Sequence, residues 1–320
     1  MTRTFRQMVV GVDFSPHSEK AVRQAICLQQ DTRTGVTAVH VVDRNLVQDL
    51  RAQPGLGEER IRDQAEQRLR KWLEEFAGPD HPVVAEAVVG HPFEALVHAV
   101  ERHQADLLVL GSRGLKAGVG HPGAVAAKCL RKAPVDVLLV RQGQEGAFTR
   151  IVACIDFSPV SVNICATAAS LAERAGGTLD VLHVHVPMTM ADLAIESFPV
   201  GDSIELLKAR EDLARHQLDQ FVAALPASAP APPPVAVMRT SSSATDGIVD
   251  FLNERAADLV VLGTRGRSGL RALLRVTAAD SSRQLRLIQR EDSGGRADLG
   301  GAEQSVRTLA TVGTAAELAA

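Results

Sequence analysis

The sequence predicts an α/β protein: two tandem open parallel five-stranded sheets with helices on both faces, the second without a clear fifth strand. Three observations carry this. The decapeptide Ala105–Gly114 (ADLLVLGSRG) returns at Ala257–Gly266 (ADLVVLGTRG), identical at eight of ten positions and 152 residues further on. Val9–Pro16 (VVGVDFSP) is echoed by Val152–Pro159 (VACIDFSP) at an offset of 143, and His40-Val41 by His183-Val184 at the same offset. Within each half, short runs that are apolar on both faces alternate with amphipathic stretches, the pattern of a sheet covered on both sides.

The elements of the first unit follow in order. Gln7–Val12 is an apolar run ending at Asp13, a buried strand. Ser15-Pro16 opens a helix, with Ser as N-cap and Pro in the first turn. Ala21, Ala25, Ile26 and Leu28 give it an apolar face. Val36–Val42 is the second strand. Glu58–Phe76 is a long charged helix with Ile61, Ala65, Leu69, Trp72, Leu73 and Phe76 on one side. Val83–Val89 and Leu107–Leu110 are strands three and four, with a helix from Pro92 to Val100 between them. A helix over Gly123–Arg131 and a fifth strand over Val135–Val140 complete the unit.

The second unit repeats the scheme. Strands are expected at Ile151–Ile155, Leu179–Val186, Val235–Met238 and Leu259–Leu262. Helices are expected at Val160–Ala175, Ile204–Leu225, Thr245–Arg255 and from Leu270 onward. The growth of the repeat offset from 143 to 152 fits a stiff extended connector at Pro226–Pro234 (PASAPAPPP). Leu285–Ile288 is a poor fifth strand, and Glu291–Ala320, rich in Gly and Ala without aromatics, reads as a disordered tail. The domain reading is therefore 1–143, 148–290 and a tail at 291–320. A repeat of this period means duplicated domains rather than a solenoid.

Composition narrows the function. With 320 residues, 45% hydrophobic and 23% charged, the chain has the make-up of a soluble two-domain protein. A net charge of −3 offers no basic field for nucleic acid or a membrane surface. Aromatics at 3% and no Tyr leave no base-stacking platform. No signal peptide and no run of about 18 apolar residues is seen, so a cytoplasmic location is expected. Cys27, Cys129, Cys154 and Cys165 form no CxxC and read as buried reduced thiols.

In an open parallel sheet, ligands bind beyond the carboxyl ends of the strands, near the point where strand order reverses. Asp13 and Asp156 end the first strands there, while Gly111-Ser112-Arg113-Gly114 and Gly263-Thr264-Arg265-Gly266 follow the fourth. Glycines expose backbone N–H groups, the next helix N-terminus favours an anion, and Arg113 or Arg265 adds charge-assisted bonds to phosphate. A strand-end carboxylate accepts from a ribose hydroxyl or an adenine amino group, or else caps the neighbouring loop. Together these make a nucleotide site.

With VDFSP, the strand ends HVVD and HVHV, and VLG[ST]RG on the page, the chain resembles a tandem member of the universal stress protein (UspA) superfamily, over about Arg6–Arg141 and Thr149–Arg275. The resemblance implies a Rossmann-like fold and a stress-response regulator that binds ATP, with or without Mg²⁺, and is at most a slow hydrolase. The family's ATP-binding pattern is Gly, two residues, Gly, nine residues, then Gly-Ser or Gly-Thr. Carried over, it implies Asp13, Val41, Gly111, Arg113, Gly114 and Gly123 in the first unit, with Ser15 beside them. In the second it implies Asp156, Val184, Gly263, Arg265, Gly266 and Thr277. Both units depart from it. Only eight residues separate Gly114 from Gly123, and Ala124 stands where a hydroxyl is expected. In the second unit Val276 stands where Gly is expected. The first unit is therefore the expected principal site, and a nucleotide-free scaffold of the same fold is the alternative. Family dimers pair through fifth strands, so a homodimer through Val135–Val140 is expected.

Sharper motifs reduce to simpler readings. Gly118–Gly123 is a literal GxGxxG but begins seven residues past its strand and lacks an acidic partner. No GxxxxGK[ST] occurs, and no magnesium-binding acidic cluster supports a ligase or phosphotransferase. His183 and His185 share a strand face without a third metal ligand nearby; His40 repeats His183, which favours a structural role. Ser15 and Ser158 have no base to activate them as nucleophiles and are read as N-caps.

Overall fold

The computed structural model describes residues 5–29, 34–50, 57–78, 82–114, 123–141, 146–188, 200–225, 232–263, 287–291 and 306–309. The first unit runs β1 (Gln7–Val12), α1 (Pro16–Leu28), β2 (Gly35–Asp43), α2 (Arg44–Leu50), α3 (Glu58–Glu74), β3 (Val83–Gly90), α4 (Pro92–Arg102), β4 (Leu107–Gly111), α5 (Ala124–Lys132) and β5 (Asp136–Val140). The second runs β6 (Arg150–Ile155), α6 (Pro159–Ala175), β7 (Thr178–His185), α7 (Val200–Ala223), β8 (Val235–Thr240), α8 (Ala244–Glu254) and β9 (Leu259–Gly263). Two short strands follow, β10 (Leu287–Glu291) and β11 (Val306–Leu309). The short helix α2 carries no signal in the sequence reading, and α7 starts at Val200 rather than Ile204.

The strand order is β3-β2-β1-β4-β5-β10-β11-β9-β6-β7-β8. Within the first unit every pairing is parallel, with β1 between β2 and β4. The second unit repeats this with β6 between β7 and β9. The order in which strands are added reverses between β1 and β4, and again between β6 and β9.

Alternation along the strands produces two cores, one on each face. Met8, Val10 and Val12 join Ala21, Val22 and Ala25 of α1 and Leu69 and Leu73 of α3. Val9, between them in sequence, belongs with Leu96 and Val100 of α4 and Cys129 and Leu130 of α5. Successive residues of one strand feeding opposite cores is the period-two geometry of a strand covered on both sides. The second unit does the same: Ile151 and Ala153 pack with α6, Val152 and Cys154 with Phe251 and Leu252 of α8.

The repeated decapeptide is explained from its second residue. Asp106, just before β4, accepts from the backbone N–H groups of Arg6 (2.9 Å) and Gln7 (3.4 Å). Asp258 does the same before β9, accepting from the N–H groups of Thr149 and Arg150 (both 3.0 Å) and from the Thr149 hydroxyl (2.7 Å). The aspartate thus ties the entry of the fourth strand to the entry of the first. Burial pushes the Asp258 carboxyl up, but the hydrogen bonds from Thr149 and Arg150 outweigh it and hold the group below its ordinary 3.8.

Four expectations are revised. Leu287–Glu291 is a strand: β10 pairs parallel with β9 at Leu287↔Val260 and Ile288↔Val261. It also pairs antiparallel with β5 at Leu287↔Leu139, so Val135–Val140 is not an open edge. The stretch read as a disordered tail contains β11, antiparallel to β10 and β9. Cys27 is exposed, whereas Cys129, Cys154 and Cys165 are buried as expected. The helix expected from Leu270 lies outside the described residues.

Candidate functional site

The site is built at the carboxyl edge of β1 and β4. β1 ends at Val12, and the Asp13 carboxylate turns back to accept from the Ser15 N–H at 3.1 Å. The Ser15 hydroxyl accepts from the Ser18 N–H at 3.1 Å, capping α1 with Pro16 in its first turn. Between them Phe14 is forced to φ 61°, a left-handed conformation that bulky residues avoid. Phe157 at φ 59° repeats this in the second unit, where Asp156 accepts from the Ser158 N–H at 3.1 Å.

An aromatic clamp holds each turn. The Phe14 ring lies 4.6 Å from His40 and 5.6 Å from Trp72, with the Arg68 guanidinium 4.3 Å from its centroid. The Nδ1–H of His40 donates to the Val12 carbonyl at 2.8 Å, since a carbonyl can only accept. In the second unit His183 Nδ1 meets the Ile155 carbonyl at 3.0 Å and Phe157 stacks 4.3 Å from His183. Burial first, then Arg68, lowers the His40 pKa below 6.5, while the Val12 carbonyl and Asp13 oppose. His183 is lowered likewise, burial first. These histidines are therefore neutral structural donors. The sequence marks them only through the repeated His-Val, and nothing in it signals the strained phenylalanines.

The loop after β4 closes on this turn. A Cβ added at Gly114 would stand 2.5 Å from Asp13 Oδ2, and one at Gly111 would stand 2.7 Å from the His17 carbonyl carbon. Gly114 therefore lets the loop backbone reach the carboxylate, while Gly111 lets α1 pack on the strand end. The Ser15 hydroxyl also donates to the Arg113 carbonyl, at 3.5 Å. Gly123 donates its N–H to the Ser112 carbonyl at 2.9 Å, bringing the start of α5 against the loop. His17 faces Arg113 and Arg141: burial, then these two cations, lower its pKa, with Asp13 opposing.

Of the expected first-unit residues, Asp13, Ser15, Gly111, Arg113, Gly114 and Gly123 come together here. Val41 lies on β2 one residue beyond His40, packed against the core on the α4 face. In the second unit Asp156 follows β6 and Gly263 ends β9, and Val184 packs against α8, where Gly247 makes room for it. Arg265, Gly266, Val276 and Thr277 lie outside the described residues, as do Gly118, Gly120 and His121. Among the described residues no group of three or more His, Cys, Asp or Glu could hold a metal ion. No helix among them is long and apolar enough to cross a membrane.

The model of the universal stress protein family matches residues 4–141 and 147–285. A universal stress protein of Mycobacterium tuberculosis strain H37Rv is 32% identical over 143 residues, 42% of this chain and 96% of that protein. One from Methanocaldococcus jannaschii is 28% identical over 145 residues, 43% of this chain and 83% of that protein. Among solved structures, a functionally unknown protein of Pseudomonas aeruginosa PAO1 aligns over 87% of this chain and 90% of its own, at 14% identity and TM-score 0.55. A universal stress protein of Archaeoglobus fulgidus aligns over 79% and 84%, at 16% identity and TM-score 0.51. At these identities the structural matches speak to the fold alone.

Proposed function

The chain belongs to the universal stress protein family, and from that premise we propose that it binds adenine nucleotide, ATP with or without Mg²⁺, chiefly in its first unit, as a regulator rather than a catalyst. The observation that carries the reading is the contact of Gly114 with Asp13. A carboxylate, a glycine loop and Arg113 converge at the reversal of strand order between β1 and β4, where open α/β sheets take ligands. Asp13 supplies an acceptor for a ribose hydroxyl or base amino group, and Arg113 with the loop and α5 amides supplies donors for phosphate. Arg113 Nη2 is buried and has no hydrogen-bond partner, which suits a group awaiting an anion. Bound nucleotide would bias a partner surface or the assembly in the cytoplasm. Pairing of a second copy along β5 would have to displace β10.

A nucleotide-free scaffold is the second reading. Ala124 lacks a hydroxyl, and Gly111 already has a packing reason to be glycine. A thermal-shift titration with ATP and Mg²⁺ on wild type and Asp13→Asn decides between them. Asparagine keeps an acceptor for the Ser15 N–H, so the turn survives while the charge is lost. A ligand of the native state raises the melting temperature, by about 2.7 kcal/mol of stability at a hundredfold excess over Kd. A wild-type shift that Asp13→Asn loses supports the nucleotide reading; no shift in either supports the scaffold.

A further inference from the structure

We propose that His17 makes ligand binding in the first unit proton-linked: its imidazole is neutral in the empty site and takes a proton from solvent when the nucleotide's phosphates bind, so the ligand is held more tightly as pH falls. The inference rests on the nucleotide reading and concerns how that binding is regulated. It starts from position. His17 is the second residue of α1, at the positive end of the helix dipole. A Cβ added at Gly111 would stand 2.8 Å from the His17 Cβ and 2.9 Å from its carbonyl oxygen, so the first turn of α1 lies directly on the end of β4. Gly111 pairs with Val140 of β5, and Arg141 follows. Asp13, just past β1, meets the same loop at Gly114. His17 thus stands where the carboxyl ends of β1, β4 and β5 come together.

Each of these strand ends brings a charge: Asp13 after β1, Arg113 after β4 and Arg141 after β5. On α1 itself the nearest acid, Glu19, is engaged with Arg23 at 2.9 Å. His17 is half-buried, and burial, then Arg113, then Arg141 lower its pKa below 6.5, with Asp13 alone opposing. Two guanidiniums and a helix pole against one carboxylate refuse a third cation at neutral pH. A phosphate, with a charge of about −1.5 to −2, inverts that balance, because it offsets the two guanidiniums and adds an opposite charge of its own. Binding and protonation then favour each other: a ligand that raises the imidazole's proton affinity about tenfold is itself held about tenfold more tightly once the imidazole is charged. The second unit has no such device. There Val160, 6% exposed, occupies the position of His17 at the repeat offset of 143.

The test uses the full chain with ATP as the probe and adenosine as its uncharged control. Calorimetric titration in two buffers of different ionisation heat counts the protons taken up on binding. The phosphate of the ligand titrates near pH 6 as well, so the readout is the difference between wild type and His17→Gln, which cannot titrate. Wild type is expected to take up more protons than the variant, and the ratio of their ATP affinities to rise about tenfold in favour of wild type from pH 8 to pH 6. The ratio for adenosine is expected to stay constant. Imidazole NMR of the wild type needs no variant: the His17 midpoint is expected below 6.5 without ligand and to move upward with ATP. Equal proton uptake in wild type and His17→Gln, or a His17 midpoint that bound ATP leaves in place, overturns the proposal while the binding itself keeps the nucleotide reading. Wild-type protein that takes up no ATP removes both.

Discussion

At the residue scale, three residues settle how the first site is held. Gly114 is required because any Cβ there would press on the Asp13 carboxylate. Gly114→Ala is therefore expected to displace that carboxylate and weaken nucleotide binding about tenfold or more, with the fold retained; the same titration measures it. Gly111 is a poor probe of binding, because a larger side chain would strike the His17 backbone and cost about 1–3 kcal/mol of stability by overpacking alone. His40 gives a pH prediction. Its pKa is lowered in the fold, so between that value and 6.5 the unfolded chain takes a proton that the folded chain refuses. Stability from this group is complete above pH 6.5 and falls as pH drops through the window. His40→Asn, which keeps a donor near the Val12 carbonyl but does not titrate, is expected to flatten that decline in melts run from pH 7.5 to 5.

At the scale of elements, helix ends separate local chemistry from tertiary contact. α6 ends at Gly176 with φ +60°, the left-handed cap that glycine adopts without penalty. Gly177 follows, and a Cβ there would stand 2.7 Å from the Thr149 Cα. Gly176→Ala is expected to cost about 1 kcal/mol, and Gly177→Ala more, since the backbone of the strand entry must move; chemical denaturation compares them. The first helix and the strands of both units were legible because Ser-Pro caps and unbroken apolar runs are local signals. α2 was not, since its residues begin straight after β2 with no cap signature. β10 reads only as a poor strand at Leu285–Ile288, because Leu287–Glu291 has only two apolar residues and its strand character comes from pairing with β9 and β5. In the site, the strand-end aspartates and glycine loops announce themselves by repetition. The Phe14 strain and the His40 clamp depend on groups brought together from far apart in the chain, and no spacing encodes them.

At the scale of the molecule, the duplicated units share their two cores and meet through the late strands. β10 covers β5 by a short antiparallel register. A chain ending at Arg286 would uncover that edge, leaving a row of unpaired backbone groups that templates association. It is expected to form concentration-dependent dimers where the full chain does not, by light scattering at matched concentrations. The half-buried histidines of both units, His17, His40 and His183, all have lowered pKa values and so act in the same sense. The whole protein is therefore expected to lose stability in mild acid, before its carboxylates titrate.

The order of strands has a consequence in time. β1 is made first, but its neighbour β4 follows about a hundred residues later, so Asp13 meets Gly114 only when a long loop of chain closes. During synthesis, Val9 and Val10 therefore wait without one of their two strand partners until most of the first unit has been translated. On the proposed nucleotide reading, ligand has nothing to seize before that moment, and so cannot guide the early steps of folding. It can act only as a latch, slowing the reopening of a domain that has already closed.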